Sequence, residues 1–282
     1  MLPLALLPVL LLAACAQPSS PGAADQAGAR TNYRPDEVVL RIEHLGGFVP
    51  AQTIATRLPI VTIYGDGRVI TEGPTILIYP GPALPNILER RIGAADLSKL
   101  VDLAVAAGVG AQVDYGTPGF PDLPETRFTV ATTDGVRTST VYALDIDEGL
   151  TAEQVAARQK LRDLQAALTD LPATLGAEAA GEERPYEPVA LAAVTSPYVS
   201  PEEGPDLAQP ELAWPGPALP GEPLGSLPDL RCVTVTGDDL AAVLEAAAGA
   251  NTLTPWVWEG ERWFVAFRPL LPDESTCADL HK

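Results

Sequence analysis

An α+β fold of two similar small units, each an antiparallel sheet covered by a helix, is what the sequence predicts. Three observations lead there. Runs of β-prone residues turn on glycine-containing pairs, and amphipathic helical patterns separate those runs. A heptapeptide also recurs, as YPGPALP at 79–85 and WPGPALP at 214–220, 135 positions apart. In both halves this stretch is followed by a short strand, a helix and a hairpin, an order that fits an internal duplication.

DEVVLRIEHL, from residue 36, reads as a strand. RLPIVTIYGDGRVITEG reads as a hairpin turning at Gly65-Asp66-Gly67, and PTILIYP continues as strand until proline interrupts the ladder. Over residues 94–109, Leu97, Leu100, Val101 and Ala104 fall at helical spacing, and Gly108 is placed to end the helix. The loop QVDYGTPGFPDLPE precedes a hairpin expected to turn at Asp134-Gly135. Thr151 and Gln154 then stand in capping-box spacing, with Leu150 placed to staple on Val155. Leu161, Leu164, Leu168 and Leu171 follow as a core-facing stripe, which Pro172 stops.

Residues 173–230 are punctuated by proline. The part from 173 to 186 reads as a linker, Val189–Val194 as one strand, and the rest as an extended connection. RCVTV, the helical pattern of Leu240, Val243, Leu244 and Ala247, and a hairpin turning at Glu259-Gly260 complete the second unit.

The N-terminus is apolar from Leu2 to Ala14, too short for a membrane span and suited to a secretory signal. It ends in Leu12-Ala13-Ala14-Cys15, which resembles the lipobox of bacterial lipoproteins. The resemblance implies cleavage before Cys15 and a diacylglycerol on its sulfur, hence a membrane anchor on the extracytoplasmic face. RLPIVTIYGDGRVI, YPGPALP and DYGTPGFPD resemble stretches of uncharacterised secreted lipoproteins of high-GC bacteria, which adds location but no reaction. AQPSSPGAADQAGARTN, residues 16–32, reads as a flexible tether spanning roughly 20–25 Å as a coil. The expected organisation is therefore signal peptide 1–14, lipidated cysteine and tether 15–35, first domain 36–172, linker 173–186 and second domain 187–282.

The formal net charge of −19 over 282 residues argues against nucleic acid as a partner, because a polyanion would be repelled. In an exported chain the two remaining cysteines, Cys232 and Cys277, are expected to pair.

Catalytic motifs are sparse. His44 sits in a strand and His281 is penultimate, so neither belongs to a zinc-ligand pair, and no metal or cofactor is expected. Asp145-Ile146-Asp147-Glu148-Gly149 lacks the distal glutamate of a calcium loop and reads as negative charge ahead of the helix near Thr151. Asp114, Tyr115 and Asp122 bracket the YGTPGFP loop as turn formers or as a binding surface. A two-residue turn in the last hairpin puts Trp256, Trp258 and Trp263 on one face, with Val257, Phe264 and Ala266 on the other. That tryptophan face is either core or a recognition surface for a protein, peptide or glycan.

Together these readings favour a non-catalytic binding or scaffolding module held at a membrane by lipid. The alternatives are a hydrolase using two carboxylates about 5–10 Å apart, or an inhibitor-type partner protein.

Overall fold

The computed structural model describes residues 28–200, 207–225 and 227–281. The expected signal peptide, Cys15 and the expected tether up to residue 27 lie outside them. The chain forms β1 (Val38–Leu45), α1 (Ala51–Thr56), β2 (Val61–Tyr64), β3 (Arg68–Glu72), β4 (Ile87–Arg91), α2 (Ala94–Ala106), β5 (Glu125–Thr132) and β6 (Gly135–Tyr142). α3 (Ala152–Thr169), α4 (Leu171–Leu175) and β7 (Arg184–Pro185) follow. Then come β8 (Ala190–Pro197), β9 (Leu212–Ala213), β10 (Glu222–Leu224), β11 (Leu227–Thr236), α5 (Gly237–Ala248), β12 (Trp256–Trp258), β13 (Glu261–Pro269) and a 3-10 turn, Cys277–His281.

The fold is α+β with two sheets, as the sequence predicts. The first is antiparallel, in the order β6-β5-β1-β2-β3-β4-β7. Alternation along β1 decides its faces: Leu40 and Ile42 join the core under α2 and α3, while Arg41 and Glu43 point the other way. Leu97, Leu100, Val101 and Ala104 of α2 and Leu161, Leu164 and Leu168 of α3 are buried against that face. The capping box at Thr151 and Gln154 is formed in both directions. Pro172 does more than stop α3: it lies in the first turn of α4, whose start is capped by the Asp170 carboxylate accepting from the Ala173 amide.

The second sheet has the order β10-β11-β8-β13-β12-β9, with β9 and β12 parallel. Its hairpin is inverted relative to the first unit's. There the leading strand β5 pairs with β1, whereas here the trailing strand β13 pairs with β8. The order of elements along the chain repeats, but the connectivity of the sheets does not.

Four further expectations change. PTILIYP is not a strand: the chain leaves the sheet after Glu72, and β4 takes the place beside β3. The second hairpin turns at Thr133-Asp134, one residue early, because Thr132 pairs with Gly135. The 173–186 stretch is not a free linker. It contributes the end of α4, the fully buried Ala180 and edge strand β7, and Gly181 (φ 70°) lies so close to the Arg91 carbonyl that a Cβ would collide with it. The folded body also begins before residue 36, since the Tyr33 hydroxyl donates to the Ala131 carbonyl at 3.0 Å.

The two units share core. Ala55 of α1 packs among Ala190, Ala192, Val194 and Leu270 of the second unit, while Leu271 packs on Leu58, Tyr64, Ile70 and Ile87 of the first. The first sheet has two distinct ends. Val38–Tyr64, Arg68–Arg91 and Thr132–Gly135 pair at one, and Leu45–Glu125 and Glu72–Ile87 at the other. The Thr133 amide donates to the Gly28 carbonyl at 3.1 Å, so the chain enters the described fold at the first end. Eight residues of β1 separate the ends by about 25 Å.

Candidate functional site

At the end far from Gly28, a groove of about 650 Å³ opens between the units. One wall is α1, through Gln52, Thr53 and Thr56; the other is the 74–86 segment; the floor is Phe264–Phe267 of β13. Phe264 and Ala266 lie on the face of β13 opposite Val265 and Phe267, whose side chains belong to the core beneath α5. Phe264 is half-buried and packs on Tyr198 with ring centroids 4.6 Å apart. Glu72 is the acidic group of the lining; lost hydration raises its carboxyl pKa, and the Arg268 charge opposes that rise.

The segment on the groove's rim is firmly tied. The Gly73 amide donates to the Asn86 carbonyl at 2.9 Å, and Asn86 Nδ2 donates to the Pro74 carbonyl at 3.0 Å. Its PGPALP portion crosses to the second unit: the Ala83 amide donates to the Ala250 carbonyl at 3.1 Å, and the Thr252 amide to the Gly81 carbonyl at 2.9 Å. Between these ties Ile76, Leu77, Ile78 and Tyr79 are 61%, 102%, 58% and 72% exposed. Four consecutive large apolar side chains in water on a braced loop are an unusual surface. No charged residue occurs from Gly73 to Leu88.

The second copy of the motif does something different. Trp214 is buried, its indole nitrogen donates to the Pro217 carbonyl at 2.6 Å, and a Cβ on Gly216 would strike the Trp214 ring.

Of the residues singled out in the sequence, the tryptophans belong to core. Trp256 does pair with Trp263 across a turn at Glu259-Gly260. Trp256 is fully buried and meets Trp214 and Phe267 edge-on at 5.6 Å each. Trp258 and Trp263 are half-buried against the same cluster, which Leu240, Val243 and Ala247 of α5 cover. The hairpin is therefore sandwiched, with α5 on one side and the groove on the other.

Asp114, Tyr115 and Asp122 lie in the first unit and shape a loop. The Asp114 carboxylate accepts from the Gly116 amide at 2.8 Å and from Gln154 Nε2 at 2.9 Å, bonds that lower its pKa. Tyr115 packs on the core, its hydroxyl 3.4 Å from Ser139 Oγ. Asp122 adopts φ 64° and its carbonyl accepts from the Phe48 amide at 3.0 Å. Behind this loop stands a residue the sequence reading missed, the fully buried Arg158 of α3. Its guanidinium donates to the carbonyls of Tyr115 (2.7 Å), Ala143 (2.8 Å), Gly116 (3.2 Å) and Tyr142 (2.9 Å). Arg158 falls one turn before the leucine stripe, and a charged residue on that face was the available signal.

Asp147 forms a two-pronged pair with Arg162, at 3.0 Å for each bond. His44 Nδ1 lies 3.2 Å from Thr126 Oγ1 on the neighbouring strand, and burial lowers its pKa. No group of three or more His, Cys, Asp or Glu side chains able to hold a metal occurs among the described residues.

A second cleft of about 250 Å³ lies on the polar face of the first sheet. Arg41 binds Asp273 at 2.7 Å, the Tyr64 hydroxyl donates to the same carboxylate at 2.6 Å, and Arg127 binds Glu43 at 2.8 Å. Arg268 and Glu274, both nearly fully buried, make two bonds of 2.9 Å. Burial drives the Tyr64 hydroxyl pKa far upward, so it stays protonated as the donor. These three carboxylates are each bound by an arginine. The tail that carries Asp273 and Glu274 is pinned by the expected disulfide, Cys232–Cys277, with Cα atoms 6.0 Å apart.

No helix among the described residues is long and apolar enough to cross a membrane. Comparison with protein-family models, curated proteins and solved structures found no match to this chain.

Proposed function

We propose that the protein is a lipoprotein anchored through Cys15 on the extracytoplasmic face of a membrane, whose folded body is a non-catalytic binding module for a protein or peptide. The observation that carries this reading is one of placement. The chain enters the fold at one end of the first sheet, and the groove with its apolar rim opens at the other. Twelve residues lie between Cys15 and Gly28, and the connection reaches at most about 45 Å when extended. An anchor at one end leaves the groove at the opposite end of the sheet, open to a partner. The lining offers hydroxyls and amides from Thr53, Thr56, Asn86 and Thr252 beside Phe264 and Ile76. That mixture suits an extended peptide, which needs both backbone partners and apolar contacts. Glu43, Asp273 and Glu274 of the charged cleft are held in ion pairs with arginines, which favours binding over hydrolysis.

The test is recovery of envelope proteins on the full mature chain against an Ala266→Arg variant that fills the groove floor. Selective loss with the variant is expected; equal recovery from both contradicts the groove.

A further inference from the structure

Among the described residues the first sheet ends in β6 and β7, the second in β10 and β9. An exposed edge strand offers unpaired backbone groups to another chain, and proteins blunt such edges with short strands or proline. β7 is two residues long and contains Pro185, β9 is two residues long, and β10 is three residues long and contains Pro223. β6 is unlike them. It runs for eight residues, Gly135–Tyr142, with no proline, no lysine and a register against β5 that never shifts.

The alternation of that ladder fixes which groups face outward. Thr132 and Gly135 close the two-residue turn at one end, and the Ala143 amide donates to the Pro124 carbonyl at 2.9 Å at the other. Gly135, Arg137, Ser139 and Val141 therefore bond to β5, while the N–H and C=O groups of Val136, Thr138 and Thr140 point away from it. No described residue bonds those groups. Arg158 takes the next outward carbonyl, that of Tyr142, at 2.9 Å. The side chains alternate to match: Ser139 and Val141 are buried, Val136 is 64% exposed, and Thr138 and Thr140 are exposed.

We infer that β6 is a dimerisation edge, which pairs antiparallel with β6 of a second copy about a two-fold axis at Thr138. Thr138 then faces Thr138 and Val136 faces Thr140, so every open backbone group from Val136 to Thr140 gains a partner. Setting Thr138 against Thr140 instead would oppose Val136 to Tyr142, whose carbonyl Arg158 already holds. The outward residues Val136, Thr138 and Thr140 are uncharged, so the two-fold opposes no like charges, and β-branched side chains pack well across strands. Arg137 keeps its own partner, Asp134 at 2.7 Å, and comes opposite Ser139. No residue of β6 lines the groove, so this interface is separate from it and stands whether or not the groove binds a peptide.

The test is sedimentation of the full mature chain over a range of concentrations, beside Thr138→Lys, Thr138→Asp and an equimolar mixture of the two. The expected result is a two-chain mass for the unaltered protein and a one-chain mass for each variant, because like charges then meet at the axis. The mixture should recover the two-chain mass, since opposite charges now face each other. Thr138 is exposed, so both variants should melt with the unaltered protein. Amide exchange at Val136, Thr138 and Thr140 should also slow as the unaltered protein is concentrated. A one-chain mass at every concentration overturns the inference. So does a two-chain mass that either variant retains, or a mixture that stays apart. Should a variant fail to fold, the exchange decides alone: rates at those three amides that do not change with concentration overturn the pairing.

Discussion

The amide of Ala83 donates to the carbonyl of Ala250 at 3.1 Å, tying a loop of the first unit to the segment that follows the second unit's helix. Leu271, in turn, reaches from the second unit into a core built on Tyr64, Ile70 and Ile87. Two units joined in both directions should unfold together. All four tryptophans, Trp214, Trp256, Trp258 and Trp263, lie in the second unit, while backbone dichroism reports both. Denaturation curves from the two probes should therefore coincide. Leu271→Ala should shift both by about 2–4 kcal/mol, and separated curves would show independent domains.

Trp256 is core, so Trp256→Ala should cost about 3–5 kcal/mol of stability. In contrast, Leu77→Asp should leave the melting temperature nearly unchanged, because the side chain has no burial to lose. Thermal melts of the two variants check this directly. A strongly destabilised Leu77→Asp would mean the loop is held by its own side chains.

Arg158 donates to four backbone carbonyls, of which that of Ala143 also accepts from the Ile146 amide. Arg158→Met keeps much of the volume but removes the guanidinium donors from all four carbonyls. A loss of about 3 kcal/mol or more is expected, with early hydrogen exchange in the 111–124 loop. A loss well under about 1 kcal/mol would show that water replaces the guanidinium.

The disulfide closes 45 residues and fastens the tail that bears Asp273 and Glu274. Cys277→Ser should cost about 2–5 kcal/mol. It should also loosen the charged cleft, seen as faster exchange at Tyr64 and Arg41. Equal melting of the oxidised and reduced protein would contradict this.

Glu37 carries the pH prediction. Burial pushes its carboxyl up, but hydrogen bonds from the Arg34 amide and Arg30, with the arginine charges, outweigh burial and leave the pKa lowered. A depressed carboxyl contributes stability that is present above its unfolded value of about 4.3 and lost as pH falls through the folded value. Glu37→Gln should cost less than about 1 kcal/mol at neutral pH, and the difference should shrink as pH falls below about 4.3 and through the lower folded value. A gap that persists in acid would place the effect elsewhere.

Local chemistry was legible in the sequence. Thr151 and Gln154 announced their capping box, Glu259-Gly260 its turn, and Cys232 with Cys277 their bond. Each of these depends on neighbours in sequence or on a pair with no other candidates. The site was less legible. ILIY is a continuous apolar run, which matches a buried strand as well as an exposed loop. What decides is that β4 already occupies the edge of β3, a fact of sheet order that residues 74–80 do not encode. Pro74 and Pro80 were the local hint, since neither can donate to a ladder. The six-residue α1 and the two-residue β7 exist because of tertiary contacts, Ala55 on the second sheet and Arg184 beside Glu89, so no periodicity signals them.

The direct test is the mass of the mature protein's first residue, isolated from membranes. The account requires the chain to begin at Cys15, heavier by a thioether-linked diacylglycerol. A bare thiol there, or residues 1–14 still attached, would remove the lipid anchor and contradict the proposal.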